Sequence, residues 1–233
     1  MNFNNNVAVI TGGTGALGQA VTQAFLQAGA RVVVTYTREP EFDALKENVS
    51  SRENLLGIKT NVLDEASVKA MVQQAMHLGR IDVLVNTVGG FLGGVPIVET
   101  SLEQFEKMIA LNLKSAFLCC KHVLPVMLQQ RGGRLTNIAS KGGLQGDEGI
   151  SAYGASKAGL INFTQSLAAE GKRYQITANT VTPGTIDTPA NRQAMPNANF
   201  AEWVTPEALA QVILFLSSDV AQAITGATIP VGG

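Results

Sequence analysis

The stretch Val7-Ala-Val-Ile-Thr-Gly-Gly-Thr-Gly-Ala-Leu-Gly18 restricts the fold of this chain more than any other feature. An apolar run of strand length passes directly into a glycine-rich turn. The turn opens a helical pattern over residues 16–28, with apolar positions at Leu17, Val21, Ala24, Phe25 and Ala28. Strand, glycine turn and helix in that order begin a βαβ unit whose turn is suited to a diphosphate. Gly12 makes the tight turn, and Gly13 and Gly15 remove side chains where the diphosphate meets the backbone. Gly18 lets helix and strand pack closely. The phosphates then lie on free N–H groups at the helix N-terminus. The candidate contacts in this turn are Gly12, Thr14, Gly15, Leu17 and Gly18.

The rest of the chain repeats the alternation. Further strands are expected at residues 32–34, 55–60, 83–85, 134–138, 178–181 and 228–231. Helices are expected at 65–76, 102–128, 155–173 and 206–216. Strands apolar throughout, each followed by a helix, predict a parallel sheet covered on both faces. With right-handed crossovers this is an α/β, single-domain, doubly wound sheet of Rossmann type spanning 1–233. The least regular segment, 183–205, has the place of a substrate loop at about 185–205. There is no repeat, linker or low-complexity tract.

Composition removes several classes of function. A formal net charge of -1 predicts neither a nucleic-acid nor a membrane partner. No apolar run approaches the ~20 residues of a membrane helix, and the polar start, residues 1–6, does not resemble a signal peptide. Cys119 and Cys120 are adjacent, point in different directions on a helix and read as reduced packing residues. The cytoplasm is the default location. His77 and His122 read as a surface and a packing residue, and no cluster has metal-ligand spacing, so no metal is expected.

An acid at the end of the second strand would grip a ribose 2′-hydroxyl and select NAD(H). That end reads Thr35-Tyr-Thr-Arg-Glu39, with Tyr36 and Thr37 in the acid's place and Arg38 nearby. An uncharged strand end beside a guanidinium suits a 2′-phosphate, so NADP(H) is favoured over NAD(H). Glu39 sits late for a ribose contact.

Tyr153 and Lys157 lie four residues apart and share a helix face. A free phenol, with a pKa of about 10, is a poor acid–base group near neutrality; a neighbouring ammonium favours its phenolate. Ser140 follows the strand at 134–138, at the strand end where open α/β sheets bind ligands, and its hydroxyl can meet a substrate carbonyl. Asn112 falls inside the helical pattern 102–128, where a buried amide needs partners.

Together these residues resemble a short-chain dehydrogenase/reductase over the whole chain. The likeness rests on the glycine turn at 11–18, Asn86, Asn112, Ser140, Tyr153-x-x-x-Lys157, Pro183-Gly-Thr-Ile-Asp-Thr188 and Ile224-Thr-Gly226. It implies hydride transfer between NAD(P)(H) and the carbonyl, alcohol or imine of a small molecule. It implies Tyr153 as general acid in reduction and base in oxidation, and Lys157 as ligand of the nicotinamide ribose that lowers the Tyr153 pKa. Ser140 would orient the carbonyl and Asn112 would hold a water in the proton relay. Asn61 and Val62 would flank the adenine. Asn86, Val88, Gly89, Ile138, Pro183, Gly184, Ile186 and Thr188 would complete the cofactor set, with Ile186 offering backbone groups and Thr188 its hydroxyl to the carboxamide. A homo-oligomer, tetramer or dimer, built on the helices at 102–128 and 155–173 is also implied. The chain departs from the family pattern at Ala16, at Asn86-Thr-Val-Gly-Gly90 and at Asn61.

A narrower resemblance to dihydropteridine reductase rests on Gly89-Gly90, Gly93-Gly94, Asp187-Thr-Pro-x-Asn-Arg192, Met195-Pro196, Phe200 and Trp203. It makes quinonoid dihydropteridine reductase the alternative activity. Asn191, Arg192, Phe200 and Trp203 then either line a pocket for a flat heterocycle or anchor a loop. A nucleotide-binding sensor without turnover is the reading from another class.

Overall fold

A computed structural model describes residues 1–232. The apolar runs become seven strands: β1 (Val7–Thr11), β2 (Arg31–Tyr36), β3 (Leu55–Lys59), β4 (Val83–Asn86), β5 (Gly133–Ile138), β6 (Ile176–Pro183) and β7 (Thr228–Val231). All pair in parallel, in the order β3-β2-β1-β4-β5-β6-β7. The order reverses between β1 and β4, which opens a crevice above the carboxyl ends of those two strands. The glycine turn follows β1 directly, so it lies at that reversal.

Alternate residues of each central strand feed two cores. Ala8, Ile10, Val32 and Val34 pack with Val21 and Phe25 of α1 (Ala16–Gln27), Leu45 of α2 (Glu39–Asn48) and Leu209 and Ile213 of α8 (Pro206–Leu216). Val7, Val9, Val33, Leu84 and Leu135 pack on the other face. Their partners are Val68 and Met71 of α3 (Glu65–Ala75), Cys119, Cys120 and Val123 of α5 (Ser115–Gln130), and Leu167 of α6 (Ser151–Gly171). A sheet covered on both faces is why these strands carry no polar alternation. Phe25 is fully buried; truncating it to Ala is expected to cost about 3–5 kcal/mol.

Two helices lie where none was expected, α2 and α7 (Pro189–Ala194). Both carry Pro in the first turn, where its missing N–H is harmless. α2 buries only Leu45, so it leaves almost no periodic apolar signal. The expected helix 102–128 is found as α4 (Leu102–Ile109) and α5, joined by a π-helical turn at Ala110–Lys114. Residues 102–130 together reach the length and hydropathy of a membrane span, against the expectation, yet Cys119, Cys120, Val123 and Met127 of that helix are buried in the sheet's core. Both thiols are free and buried, as expected, and burial pushes Cys119 up to about 12. His122 differs from a plain packing residue: its ring meets Glu65 at 3.1 Å.

Candidate active site

The phosphate turn has the backbone its glycines imply. Gly12 has φ +66°, and a Cβ there would lie 2.9 Å from the Val88 side chain. A Cβ on Gly18 would strike the Gly12 carbonyl, so the first turn of α1 can rest on the loop only without one. The Gly12 N–H donates to Thr35 Oγ1 at 2.9 Å, fixing the turn on β2. Gly15 caps α1 without a side-chain hydrogen bond, and no acid stands in the first helical turn. Uncapped N–H donors at a positive helix end, under a cradle that side chains would fill, fit a dinucleotide diphosphate.

At the adenosine end the strand terminus is not as free of carboxylates as its sequence suggests. The Tyr36 hydroxyl donates to Glu39 Oε2 at 2.8 Å, and its ring stacks on Phe42 at 4.9 Å between centroids. Burial and the Glu39 carboxylate hold that phenol above its ordinary pKa. Arg38 caps α2 and forms an ion pair with Glu41, whose other carboxylate oxygen accepts from Thr14 Oγ1 at 3.4 Å. Thr37 lies between Tyr36 and Arg38, exposed. Val62 is buried after β3, and Asn61 turns inward on its own loop, accepting from Leu63 N–H at 3.0 Å.

The catalytic candidates meet at the other end of the crevice. α6 begins four residues earlier than expected, so Tyr153 and Lys157 both lie on it and share a face. Lys157 is 5% exposed and donates to the Ile138 carbonyl at the end of β5 at 2.8 Å. Burial lowers its pKa to about 8. Its ammonium lies 5.9 Å from the centre of the Tyr153 ring. Burial raises the Tyr153 phenol, and the Ser140 hydroxyl pulls it back. Desolvation dominates at Tyr153, and the lowering comes from Ser140 and not from Lys157 as expected. Ser140 stands beyond β5 and accepts from the Gly142 N–H at 3.3 Å.

Asn112 lies in the π-helical turn, and its side chain is fully partnered. Oδ1 accepts from Gly90 N–H at 2.8 Å, and Nδ2 donates to Gly90 O at 3.0 Å and Ser156 Oγ at 2.9 Å. Ser156 in turn donates to Tyr153 O at 2.6 Å. A Cβ on Gly89 would sit 2.8 Å from Asn112 Oδ1 and 3.2 Å from Lys157 Nζ, so Gly89 is the gap that lets this cluster close. The side-chain amide therefore ties α4–α5 to the loop after β4 and to α6.

Gly90, Ser156 and Phe91 were not among the expected residues. The Phe91 ring lies edge-on to Tyr153 at 4.9 Å and is 71% exposed. The glycine pairs that flank it were the available signal.

Asn86 is directed into the sheet, accepting from Thr11 Oγ1 at 3.3 Å and donating to Asn137 Oδ1 at 2.8 Å, so its amide joins strands instead of facing the crevice. Gly184 N–H donates to Val231 O at 2.9 Å, which docks the segment after Pro183 on β7. Thr188 Oγ1 accepts from Asn191 N–H at 3.1 Å as the cap of α7, and Ile186 O accepts from Asn191 Nδ2 at 2.8 Å. Arg192 is bidentate to Asp187 at 2.5 and 2.7 Å and covers the Phe200 ring at 4.7 Å, and Phe200 packs on Trp203. These four residues anchor a loop. A groove of about 730 Å³, lined by Gly154, Ala155 and Ala158, lies on the face of α6 turned away from Tyr153. Among the described residues no group of His, Cys, Asp or Glu could hold a metal.

A family model described as short chain dehydrogenase matches residues 6–199. The 3-oxoacyl-(acyl-carrier-protein) reductase of Thermotoga maritima is 35% identical, covering 100% of this chain and 98% of its own. The 7alpha-hydroxysteroid dehydrogenase of Bacteroides fragilis is 34% identical, over 99% of this chain and 94% of its own. Among solved structures, ElxO with NADP bound has 28% identity and a TM-score of 0.91, over 97% of this chain and 96% of that one.

Proposed function

On the premise that the chain belongs to the short-chain dehydrogenase family and is an NAD(P)(H)-dependent oxidoreductase, we propose that it is an NADP(H)-preferring reductase of a small-molecule carbonyl or imine, with Tyr153 as its general acid. The observation that carries this is the pairing on α6 of the Tyr153 phenol with the buried Lys157 ammonium, which lies 5.9 Å from its ring and is held by the Ile138 carbonyl at the end of β5. A phenol beside an ammonium can give its proton to a carbonyl oxygen that is gaining charge, since the ammonium favours the phenolate left behind.

The cofactor supplies the hydride. Tyr153 gives its proton to the carbonyl oxygen as that oxygen gains charge, and the Ser140 hydroxyl hydrogen-bonds the same oxygen. Lys157 holds the nicotinamide ribose and keeps positive charge beneath the phenolate left behind. Asn112 acts as a positioning residue that fixes the Gly90 backbone and, through Ser156, the first turn of α6. Gly12, Thr14, Gly15, Leu17 and Gly18 receive the diphosphate, and Val88, Gly89, Ile138, Pro183, Gly184, Ile186 and Thr188 surround the nicotinamide half. Asn61 and Val62 flank the adenine.

Preference for NADP(H) is supported by Arg38 at the end of β2 and by the solved relative with NADP bound. A homo-oligomer is supported by the exposed apolar side chains Leu102, Phe105 and Phe117 on α4 and α5, and a cytoplasmic location by the two free cysteines. Reduction of quinonoid dihydropterin is not favoured, because Arg192 is committed to Asp187 and Phe200. The test is oxidation of NADPH and NADH against a panel of carbonyls, an imine and a quinonoid dihydropterin. Turnover of carbonyls with NADPH ahead of NADH is expected; turnover of the pterin alone, or faster rates with NADH, would overturn the reading.

A further inference from the structure

The first turn of α2 brings a carboxylate to the place where a 2′-phosphate is expected. Arg38 and Thr14 stand on two sides of the adenosine end of the crevice, one after β2 and one in the phosphate turn. Glu41 reaches both: one carboxylate oxygen pairs with Arg38 and the other accepts from the Thr14 hydroxyl. We propose that Glu41 is an internal occupant of the 2′-phosphate site, holding Arg38 and Thr14 until NADP(H) displaces it. The inference rests on the reading that Arg38 receives the 2′-phosphate.

Three features give Glu41 this role and deny it to its neighbours. Glu39, the other acid of the turn, is already taken by the Tyr36 hydroxyl. Phe42 is stacked on Tyr36, and a Cβ on Gly57 would collide with its ring, so the backbone of this turn is clamped and only side chains are free to move. The Arg38 side chain is 75% exposed and that of Glu41 34%, so the pair can open into solvent at little cost.

Carboxylate and phosphate compete for the same guanidinium geometry, and two anions do not share one such site. NADP(H) therefore expels Glu41 before Arg38 can turn to the phosphate. NAD(H), with a free 2′-hydroxyl, offers a donor from which the carboxylate can accept where it stands. Glu41 thus narrows the gap between the two cofactors, favouring neither outright.

The experiment is fluorescence titration of NADPH and NADH into the full chain as wild type, Glu41→Gln, Arg38→Ala and the double variant. Glu41→Gln is expected to tighten NADPH by about three- to tenfold, the scale of an exposed ion pair plus relieved repulsion. It should not tighten NADH, and the gain should vanish when Arg38 is absent. An NADPH affinity in Glu41→Gln within about twofold of wild type overturns the proposal, as does a gain that survives loss of Arg38 or is equal for NADH. If Arg38→Ala weakens NADPH selectively while Glu41→Gln is silent, the occupant is refuted and the Arg38 reading stands. If Arg38→Ala weakens both cofactors alike, that reading falls, and this inference falls with it.

Discussion

The floor of the crevice and its rim are built on opposite terms. On the floor, Asn112, Ser156, Lys157 and the Asn86–Asn137–Thr164 chain are buried, and each side-chain polar group has a partner at 2.6 to 3.3 Å. On the rim, Arg38–Glu41 and Asp187–Arg192 are ion pairs with guanidinium side chains that are 75% and 52% exposed. Buried polar groups cannot trade their partners for water, so the floor is held in one arrangement. Exposed pairs contribute little and reorganise readily. On the proposed function, chemistry is located where the chain is fixed, and choice of ligand where it is not.

That contrast fails first if the floor tolerates change. Tyr153→Phe keeps the ring against Phe91 and removes the proton donor. Turnover is expected to fall at least about 100-fold with NADPH affinity nearly unchanged. Steady-state kinetics with a parallel cofactor titration reads both, and near wild-type turnover would remove Tyr153 from the chemistry.

Lys157→Met should separate activity from stability. Activity is lost, yet the folded state is expected to hold its stability or gain at pH 7. Burial lowers the Lys157 pKa to about 8 from an ordinary 10.5. Its charge therefore disfavours the fold fully below pH 8, and the penalty fades as pH rises towards 10.5. Urea unfolding of both proteins at pH 7 and pH 10 measures this; an advantage of the variant that grows with pH would contradict the assignment.

Asn112→Ala leaves the Gly90 N–H without its partner. A loss of about 1–3 kcal/mol in unfolding free energy is expected, the cost of an orphaned buried group, with kcat falling more than KM changes. A shift in KM alone would place Asn112 in binding and not in positioning. The smallest effect belongs to the rim. Arg192→Ala removes a guanidinium already satisfied within its loop, and turnover should change less than about threefold. A larger loss would bring Arg192 into contact with substrate and reopen the pterin reading.

The same division decided what the sequence disclosed. The glycine turn, the seven strands and the Tyr153–Lys157 face were legible because backbone sterics and two-sided burial force particular residue types there. α2 was not, since a helix that buries only Leu45 leaves no period to detect. Ser140, Tyr153 and Lys157 were found at one crevice end, but the partners of Asn112 were not, because they are the Gly90 backbone amide and carbonyl, 22 positions away, and the Ser156 hydroxyl, 44 positions away. Arg38 was visible as a charge; its engagement by Glu41 was not, because nothing in the spacing of two surface residues says which way each turns.

The π-helical turn at Ala110–Lys114 has a consequence for how this gene can change. Such a turn is an α-helix with one residue added, and its wider winding absorbs that residue without turning the helix that follows. Deleting a single codon there would close the turn into a regular helix and leave α5 near its present orientation, with Cys119, Cys120 and Val123 still facing the core. The same step would withdraw Asn112 from Gly90. The loss would be felt in the crevice and hardly in the packing of the core, so the extra residue serves the site and not the scaffold.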